Sequence, residues 1–244
     1  TLALPDDWRE DDLAGFAAGL AVDQVAFGIS LLGGDTIRAS GGLTVSITVL
    51  GAVPTGRMVR RAAARAGDVL YVSGTLGDAA LGLALRLDPE GALARGLDPA
   101  ERGHLARRYL LPEPRLALAP AVLAHARAAM DLSDGLGLDL ARMCRGAGVG
   151  AEVELERLPL SAAAARALVL EPDRRGAILG GGDDYEILAA VPPDAAPAFE
   201  AEAAAAGVAV TAIGRVVPTP VGLPVFRDRE GREAAGAGAG FRHF

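Results

Sequence analysis

Residues 130–140 read Met130-Asp131-Leu132-Ser133-Asp134-Gly135-Leu136-Gly137-Leu138-Asp139-Leu140, a run with three carboxylates and one hydroxyl within nine positions. Ala128 and Ala129, just before this stretch, are small and apolar. After it, Leu136, Leu140 and Met143 follow at the i, i+4 and i+7 spacing of one buried helical face. The pattern predicts a helix over residues 134–145 with an acidic segment at its start.

The start of this helix is the first candidate site. Ser133 or Asp131 is a suitable N-cap, and Gly146 and Gly148 are suited to end the helix. Free backbone N–H groups beside Asp131 and Asp134 keep these carboxylates ionised and also suit phosphate oxygens. Carboxylates that cannot neutralise one another need cations, and Mg²⁺ is held by one or two carboxylates together with waters and phosphates. Each Asp or Ser taken alone is more typical of an ordinary cap, so the prediction of a magnesium site depends on the whole cluster.

Length and composition limit the class of protein. At 244 residues with 51% apolar content, the chain fits one large domain or two smaller ones. Its net charge of −7 and pI near 5.0 argue against nucleic acid and anionic membranes as partners. No apolar run reaches the roughly 18 residues of a membrane span and no leader is evident, so we expect a cytoplasmic protein. The single cysteine, Cys144, allows neither an intrachain disulfide nor a metal-thiolate cluster.

All 24 basic residues are arginines, because the chain contains no lysine. A P-loop needs its lysine on the β- and γ-phosphates, a protein kinase needs its strand lysine, and Schiff-base enzymes need an amine. The sequence therefore excludes these three kinds of site from this chain.

A second candidate segment lies near the front. A helix is predicted within residues 6–32, and an apolar run at 25–29 leads to a predicted strand that ends at Gly33-Gly34-Asp35-Thr36. Two glycines before an Asp let the backbone approach a ligand and place a carboxylate and a hydroxyl beside it. Taken alone, this pattern is equally typical of an ordinary turn.

The next segments suggest a strand and a basic helix. Residues 43–50 alternate apolar and polar side chains, which predicts a half-buried strand. After a Pro-Gly turn, Arg57, Arg60 and Arg61 lie on a short predicted helix. These arginines could bind the phosphates of a nucleotide or form a solvent-exposed face of the helix. The sequence slightly favours the solvent-exposed face.

From residue 67 onward, strands alternate with long helices, which indicates an α/β layered domain. We therefore place a first domain at residues 1–66 and a second at 67–244. The predicted elements are strand 67–74, helices 78–87, 100–109, 115–128 and 134–145, strand 151–156, helix 161–169, strand 184–191, helix 194–206, an apolar run at 208–217 and a last strand after Pro224.

A second acidic cluster occupies residues 178–188, where three glycines precede Asp183-Asp184-Tyr185-Glu186. Adjacent residues of a strand point to opposite faces, so only one of the two aspartates can reach a ligand if the strand has already begun. We expect Asp183, at the edge of the loop, to face the site and Asp184 to be structural. The alternative is a plain turn followed by an amphipathic strand.

Taken in order, the segments 33–36, 131–136 and 181–186 resemble those of thiamine-monophosphate kinase, a family of the aminoimidazole ribonucleotide synthetase-like superfamily. The resemblance includes Pro112-Glu113-Pro114-Arg115 and the terminal Phe241-Arg242-His243-Phe244, and so spans nearly the whole chain. The second and third motifs together are highly specific.

The resemblance implies direct, Mg²⁺-dependent transfer of the ATP γ-phosphoryl group to thiamine monophosphate, which gives thiamine diphosphate. It also implies a homodimer and an α/β (α+β) fold, in which residues 1–66 are the remainder of an N-terminal ATP-binding domain with barrel-forming strands. By motif position, the resemblance assigns Gly34, Asp35, Arg61 and Ser133 to ATP, Asp35, Asp131 and Asp134 to several Mg²⁺ ions, and Asp183 and Phe241 to the thiamine moiety.

The chain departs from the family pattern at two site positions and at its front. Asp183 stands where the family usually has Glu, and Phe241 where Tyr also occurs. Family members carry an N-terminal third with further Mg²⁺ ligands, so we expect upstream sequence to be lacking here. Two alternatives therefore remain: a non-catalytic fragment that binds nucleotide or thiamine phosphate, and a sister ATP-using enzyme of the same superfamily.

Overall fold

The computed structural model describes residues 1–218 and 224–234. The chain divides into two compact units, residues 1–54 and 55–244. Within the described residues, no helix has both the length and the apolarity needed to cross a membrane.

The first unit consists of one helix and a small mixed sheet. Helix α1 covers Glu10–Phe27 and ends at Gly28, which is left-handed with φ 62°. The apolar run at 25–29 was expected to lead to a strand, but it lies at the end of α1. The strands are β1 (Leu2–Leu4), β2 (Thr36–Arg38) and β3 (Thr44–Val45), in the order β2-β1-β3 with β1 parallel to β2 and antiparallel to β3.

The half-buried strand predicted over residues 43–50 is wrong in length and in burial. Only Thr44 and Val45 form a strand, and every residue from 43 to 50 is exposed. The reason is the length of the partner: β1 offers three residues, so the later part of the alternating run has no ladder to join.

The second unit is built on one six-stranded sheet in the order β5-β7-β4-β8-β6-β9. All neighbouring strands are antiparallel except β6 and β9, which run parallel. The strands are β4 (Val69–Ser73), β5 (Ala128–Asp131), β6 (Gly150–Glu154), β7 (Ile187–Val191), β8 (Val210–Val217) and β9 (Val225–Arg227). The helices are α2 (Asp78–Leu87), α3 (Ala92–Gly96), α4 (Pro99–Leu110), α5 (Ala119–His125), α6 (Leu136–Ala147), α7 (Ala162–Leu170), α8 (Arg175–Gly180) and α9 (Ala196–Ala205).

Helices cover both faces of this sheet. On β4, Leu70 and Val72 point into the core formed with α2, α4 and α6, whereas Tyr71 points into the core formed with α5 and α9. Cys144 is buried on α6. The layered α/β fold class inferred from the sequence is confirmed.

Strand β5 was missed by sequence reasoning. The helix predicted over residues 115–128 is a 3₁₀ turn at Leu116–Leu118 followed by α5, and the chain then enters β5. The residues of β5 are Ala128-Ala129-Met130-Asp131, of which the two alanines and the methionine favour a helix. The free edge of β7 supplies the hydrogen-bond partners that override this preference.

The division between the units lies before the boundary placed at residue 66. The 3₁₀ turn Arg61–Ala63 packs against α6 and β5, and Ala64 is buried in the core of the second unit. The short helix predicted around the arginines is thus reduced to this turn.

Candidate active site

Helix α6 begins differently from the prediction. Its N-cap is Gly135, with φ 96°, and neither Ser133 nor Asp131 caps it through a side chain. Instead, the buried Asp139 in the first turn reaches back and accepts hydrogen bonds from the backbone N–H groups of Ser133 (3.0 Å) and Asp134 (2.9 Å). Asp139 therefore holds the acidic loop in place, and the carboxylates of the loop are not used as caps. The helix ends before the left-handed Gly148, as predicted.

Two acidic segments, residues 131–134 and 183–186, lie side by side. Strands β5 and β7 pair so that Asp131 is opposite Ile187, and the pairing continues beyond both strands. The continuing bonds run from Leu132 N–H to Glu186 O (2.8 Å), from Tyr185 N–H to Leu132 O (2.9 Å) and from Asp183 N–H to Ser133 O (3.0 Å). Segments that are far apart in sequence thus form one polar edge of the sheet.

Glycines permit this close approach. A Cβ built on Gly182 would overlap the carbonyl oxygen of Ser133, and one on Gly135 would lie 2.7 Å from the carbonyl carbon of Gly180. Gly135 also has φ 96°, a backbone conformation that residues other than glycine rarely adopt. The consecutive glycines of the second motif therefore serve contact between the two segments.

The second acidic segment is a turn and not the first part of a strand. Asp183 and Tyr185 both have positive φ, 67° and 50°, and β7 begins only at Ile187. The two aspartates therefore do not lie on a strand, and strand alternation does not decide which of them faces a ligand. The left-handed turn still separates them: Asp183 is half-buried, whereas Asp184 is buried.

Asp184 joins this turn to the start of α2. Its carboxylate accepts hydrogen bonds from the N–H groups of Gly77 (2.7 Å) and Ala79 (3.2 Å). Burial raises the pKa of Asp184 to about 7, against the lowering effect of these two N–H groups.

Glu186 is the centre of a buried ion-pair network. Arg108 donates to its carboxylate at 2.9 Å, Arg115 donates through two nitrogens at 2.8 and 2.6 Å, and the Ser73 hydroxyl donates at 2.6 Å. Arg115 belongs to the Pro112–Arg115 segment of the resemblance. The structure therefore gives that segment a positioning role against β7.

The negative charge of the two acidic segments is only partly compensated within the chain. Arg142 on α6 forms ion pairs with Asp134 and, at 2.8 Å, with Asp139. Asp131, at the end of β5, is exposed and forms no ion pair within the described part of the chain. Burial raises the pKa of Tyr185, as do the carboxylates of Asp183, Asp131 and Asp134 around its phenol.

An apolar cavity opens beside Asp131 within the second unit. Its volume is about 650 Å³. The polar side chains at its edge belong to Asp131, Arg115 and Tyr185, the last of which is 39% exposed. The apolar lining comes from Val59, Pro112, Pro114, Leu116, Leu118, Ala119, Val122, Ala129, Met130 and Ile187. The cavity is large enough to receive a small planar ligand next to the acidic edge.

The remaining predicted residues belong to neither acidic segment. Gly34 and Asp35 belong to the first unit, where both are exposed and Asp35 accepts a hydrogen bond from the N–H of Thr36 at 2.9 Å. Arg61 is exposed on its 3₁₀ turn. Phe241 falls outside the described residues. The structure therefore brings together four of the predicted residues, all from the two acidic segments: Asp131, Ser133, Asp134 and Asp183.

A magnesium ion fits part of this donor set. No group of three or more His, Cys, Asp and Glu side chains within the described ranges is arranged to hold a metal ion. Mg²⁺ in phosphate-binding sites is normally held by only one or two carboxylates, with waters and phosphate oxygens completing the shell. Asp131 is open to solvent and Asp134 is 24% exposed, so these two carboxylates can serve that role.

Sequence reasoning missed four residues that shape the site: Asp139, Arg142, Arg115 and Tyr185. Asp139 and Arg142 are spaced i and i+3 on the predicted helix, a spacing that signals an ion pair. The long-range partners of Arg115 and the exposure of Tyr185 leave no comparable local signal.

The chain is similar to known proteins in sequence and in fold. The C-terminal domain family of AIR synthase related proteins matches residues 65–224. Thiamine-monophosphate kinase of Caulobacter vibrioides is 44% identical over 235 residues, which cover 93% of this chain and 62% of that protein. The crystal structure of thiamine-monophosphate kinase from Stenotrophomonas maltophilia K279a has a TM-score of 0.82 and 37% identity, covering 96% of this chain and 71% of that one. The chain belongs to the thiamine-monophosphate kinase family.

A further structure in this family carries ligands. AaThiL complexed with AMPPCP and TMP has a TM-score of 0.77 and 27% identity, and the match covers all of this chain and 72% of that one. The present chain spans less than two thirds of the Caulobacter thiamine-monophosphate kinase.

Proposed function

We propose that the protein is a thiamine-monophosphate kinase that transfers the γ-phosphoryl group of ATP to thiamine monophosphate. The observation that carries the proposal is the paired acidic edge beside an apolar cavity. Family membership and the likeness to AaThiL complexed with AMPPCP and TMP support the choice of substrates.

The acidic edge is suited to phosphoryl transfer without a lysine. Such a transfer depends on positioning and on neutralising the charge of phosphate oxygens, more than on covalent help from the protein. We assign Asp131 and Asp134 to Mg²⁺, which neutralises phosphate charge when bound, and Ser133 between them to ATP. The backbone of this loop is held by Asp139, so both carboxylates have fixed anchor points.

The front of the chain supplies the remaining nucleotide contacts in this proposal. Gly34 would let the backbone approach ATP, Asp35 would bind both ATP and Mg²⁺, and the exposed Arg61 would contact the nucleotide. Arginine is suited to this task because its planar guanidinium binds phosphate through two hydrogen bonds.

We assign the thiamine moiety to Asp183 and Phe241. Asp183 is half-buried in the turn beside Ser133, from which its carboxylate can reach a ligand at the acidic edge. The side chain is one methylene shorter than Glu, so we expect its contact with substrate to run through a water. Phe241 would stack on a ring.

We further propose that the enzyme is a homodimer and acts in the cytoplasm, where its co-substrate ATP is made and used. The first unit supports a dimer because it exposes large apolar side chains, including Leu32, Ile47, Val49 and Leu50.

The activity is tested by incubating the protein with ATP, MgCl₂ and thiamine monophosphate and separating the thiamine phosphates by chromatography. The proposal predicts equal amounts of thiamine diphosphate and ADP, and none when EDTA replaces MgCl₂. ADP without thiamine diphosphate would mean that ATP is hydrolysed and that thiamine monophosphate is not the acceptor, which would contradict the kinase assignment. Binding of both ligands without turnover at any Mg²⁺ concentration would contradict the kinase assignment and favour a binding fragment.

A further inference from the structure

We infer that Arg142 is an internal counter-ion that competes with the divalent cation for Asp134 and so sets the affinity of the site for Mg²⁺. The inference rests on the proposed magnesium site at Asp131 and Asp134. It concerns a residue outside the two motifs that assign that site.

The contacts of Arg142 carry the argument. Its Nη1 atom lies between two carboxylates: it pairs with Oδ2 of Asp134 and, at 2.8 Å, with Oδ1 of Asp139. The Arg142 side chain is 36% exposed and Asp134 is 24% exposed, whereas Asp139 is fully buried. The ion pair of Arg142 with the buried Asp139 is thus held in place. Its ion pair with the partly exposed Asp134 can be exchanged for another cation.

The two ends of the acidic loop differ in charge compensation. Asp131 has no ion pair within the described residues, and Asp134 has one. A cation that uses both carboxylates must therefore displace the guanidinium from Asp134. Since Arg142 and the metal ion carry charges of the same sign, they also repel each other at this short range.

Displacement need not disorder the loop. Asp139 keeps its two backbone hydrogen bonds to Ser133 and Asp134, and it keeps its ion pair with Arg142. The loop geometry is therefore preserved while the Asp134 carboxylate changes partner. Arg142 acts on metal binding through Asp134, which makes it a positioning residue.

The test compares Mg²⁺ binding by wild type and Arg142→Gln, using calorimetric titration with MgCl₂ in the absence of nucleotide. Removing the competing charge should tighten Mg²⁺ binding about fivefold, the scale of a partly exposed ion pair. A variant that merely damaged the loop would bind Mg²⁺ more weakly, so a gain in affinity cannot come from misfolding.

A matched control is Arg174→Gln. Arg174 forms an i,i+3 ion pair with Glu171, and their side-chain exposures of 31% and 27% are close to those of Arg142 and Asp134. This control should leave Mg²⁺ affinity unchanged. Raising the ionic strength should reduce the difference between wild type and Arg142→Gln, because salt screens exposed charges.

Two results would overturn the inference. Equal or weaker Mg²⁺ binding by an Arg142→Gln variant that unfolds at the wild-type temperature would show that Arg142 does not compete, and it would leave the kinase proposal standing. Absence of Mg²⁺ binding by wild type, together with thiamine diphosphate formation in the activity assay, would place the metal elsewhere and also remove the competition.

Discussion

At the scale of single residues, four of the five acids in the two acidic segments, residues 131–134 and 183–186, have different tasks. Asp131 is open to solvent, and Asp134 is paired with Arg142. Asp184 and Glu186 are buried, and each binds groups from distant parts of the chain. Burial with satisfied hydrogen bonds identifies the structural acids, and partial exposure identifies those available to a ligand.

The raised pKa of Asp184 predicts a specific pH dependence of stability. Its pKa is about 7 in the folded protein and near 4 when unfolded, so the folded state holds the proton more tightly. The contribution of this group is therefore present at low pH and is lost as the pH rises from about 4 to about 7.

Asp184→Asn should remove that loss. The free energy of unfolding of wild type relative to Asp184→Asn should fall by about 2–3 kcal/mol between pH 5 and pH 8, since each pKa unit corresponds to about 1.4 kcal/mol. Urea unfolding at several pH values measures this difference. A difference that stays constant, or rises with pH, would contradict the assigned burial effect.

At the scale of elements, the site depends on a strand pairing that continues into two loops. Antiparallel β5 and β7 bring the loops together, and the three backbone hydrogen bonds beyond the strands fix their register. Each loop is then tied to a helix, the first to α6 through Asp139 and the second to α2 through Asp184. The chemistry of the edge therefore depends on glycines that allow the loops to touch.

Gly182→Ala tests this dependence. The new methyl group would meet the carbonyl oxygen of Ser133, a backbone atom that cannot rotate away. We expect a destabilisation of about 1–3 kcal/mol, typical of overpacking, measured by urea unfolding.

Gly176→Ala is the matched control, because a Cβ at this position on α8 meets nothing within 4 Å. This change should be neutral or stabilise the helix by up to about 1 kcal/mol. Equal effects of the two substitutions would show that contact between the loops does not require glycine.

At the scale of the whole molecule, local patterns predicted most elements, and tertiary partners decided the exceptions. Helix 78–87 and the end of α6 at Gly148 follow their apolar spacing and stop signal. Strand β5 was missed because its alanines favour a helix until β7 offers an edge, and residues 43–50 were assigned too long a strand.

The acidic motifs of the candidate site were predictable from the sequence, but the residues that hold these motifs in place were not. Asp131, Asp134 and Asp183 are visible as carboxylates within short clusters that contain glycine, a local feature of the sequence. Arg115 and Glu186 are 71 positions apart in the sequence. Such a contact depends on the strand order of the sheet, so no periodic pattern in the sequence predicts it.

The central claim is that Asp131 binds nucleotide phosphates through Mg²⁺. It is tested most directly by calorimetric titration of Asp131→Asn with AMPPCP, in MgCl₂ and in EDTA. Asp194→Asn serves as the control, since this exposed carboxylate lies beyond the opposite end of β7. The account predicts that Asp131→Asn weakens binding in MgCl₂ by at least about tenfold and has no effect in EDTA, while Asp194→Asn binds like wild type. Wild-type affinity of Asp131→Asn for AMPPCP in MgCl₂ would contradict it.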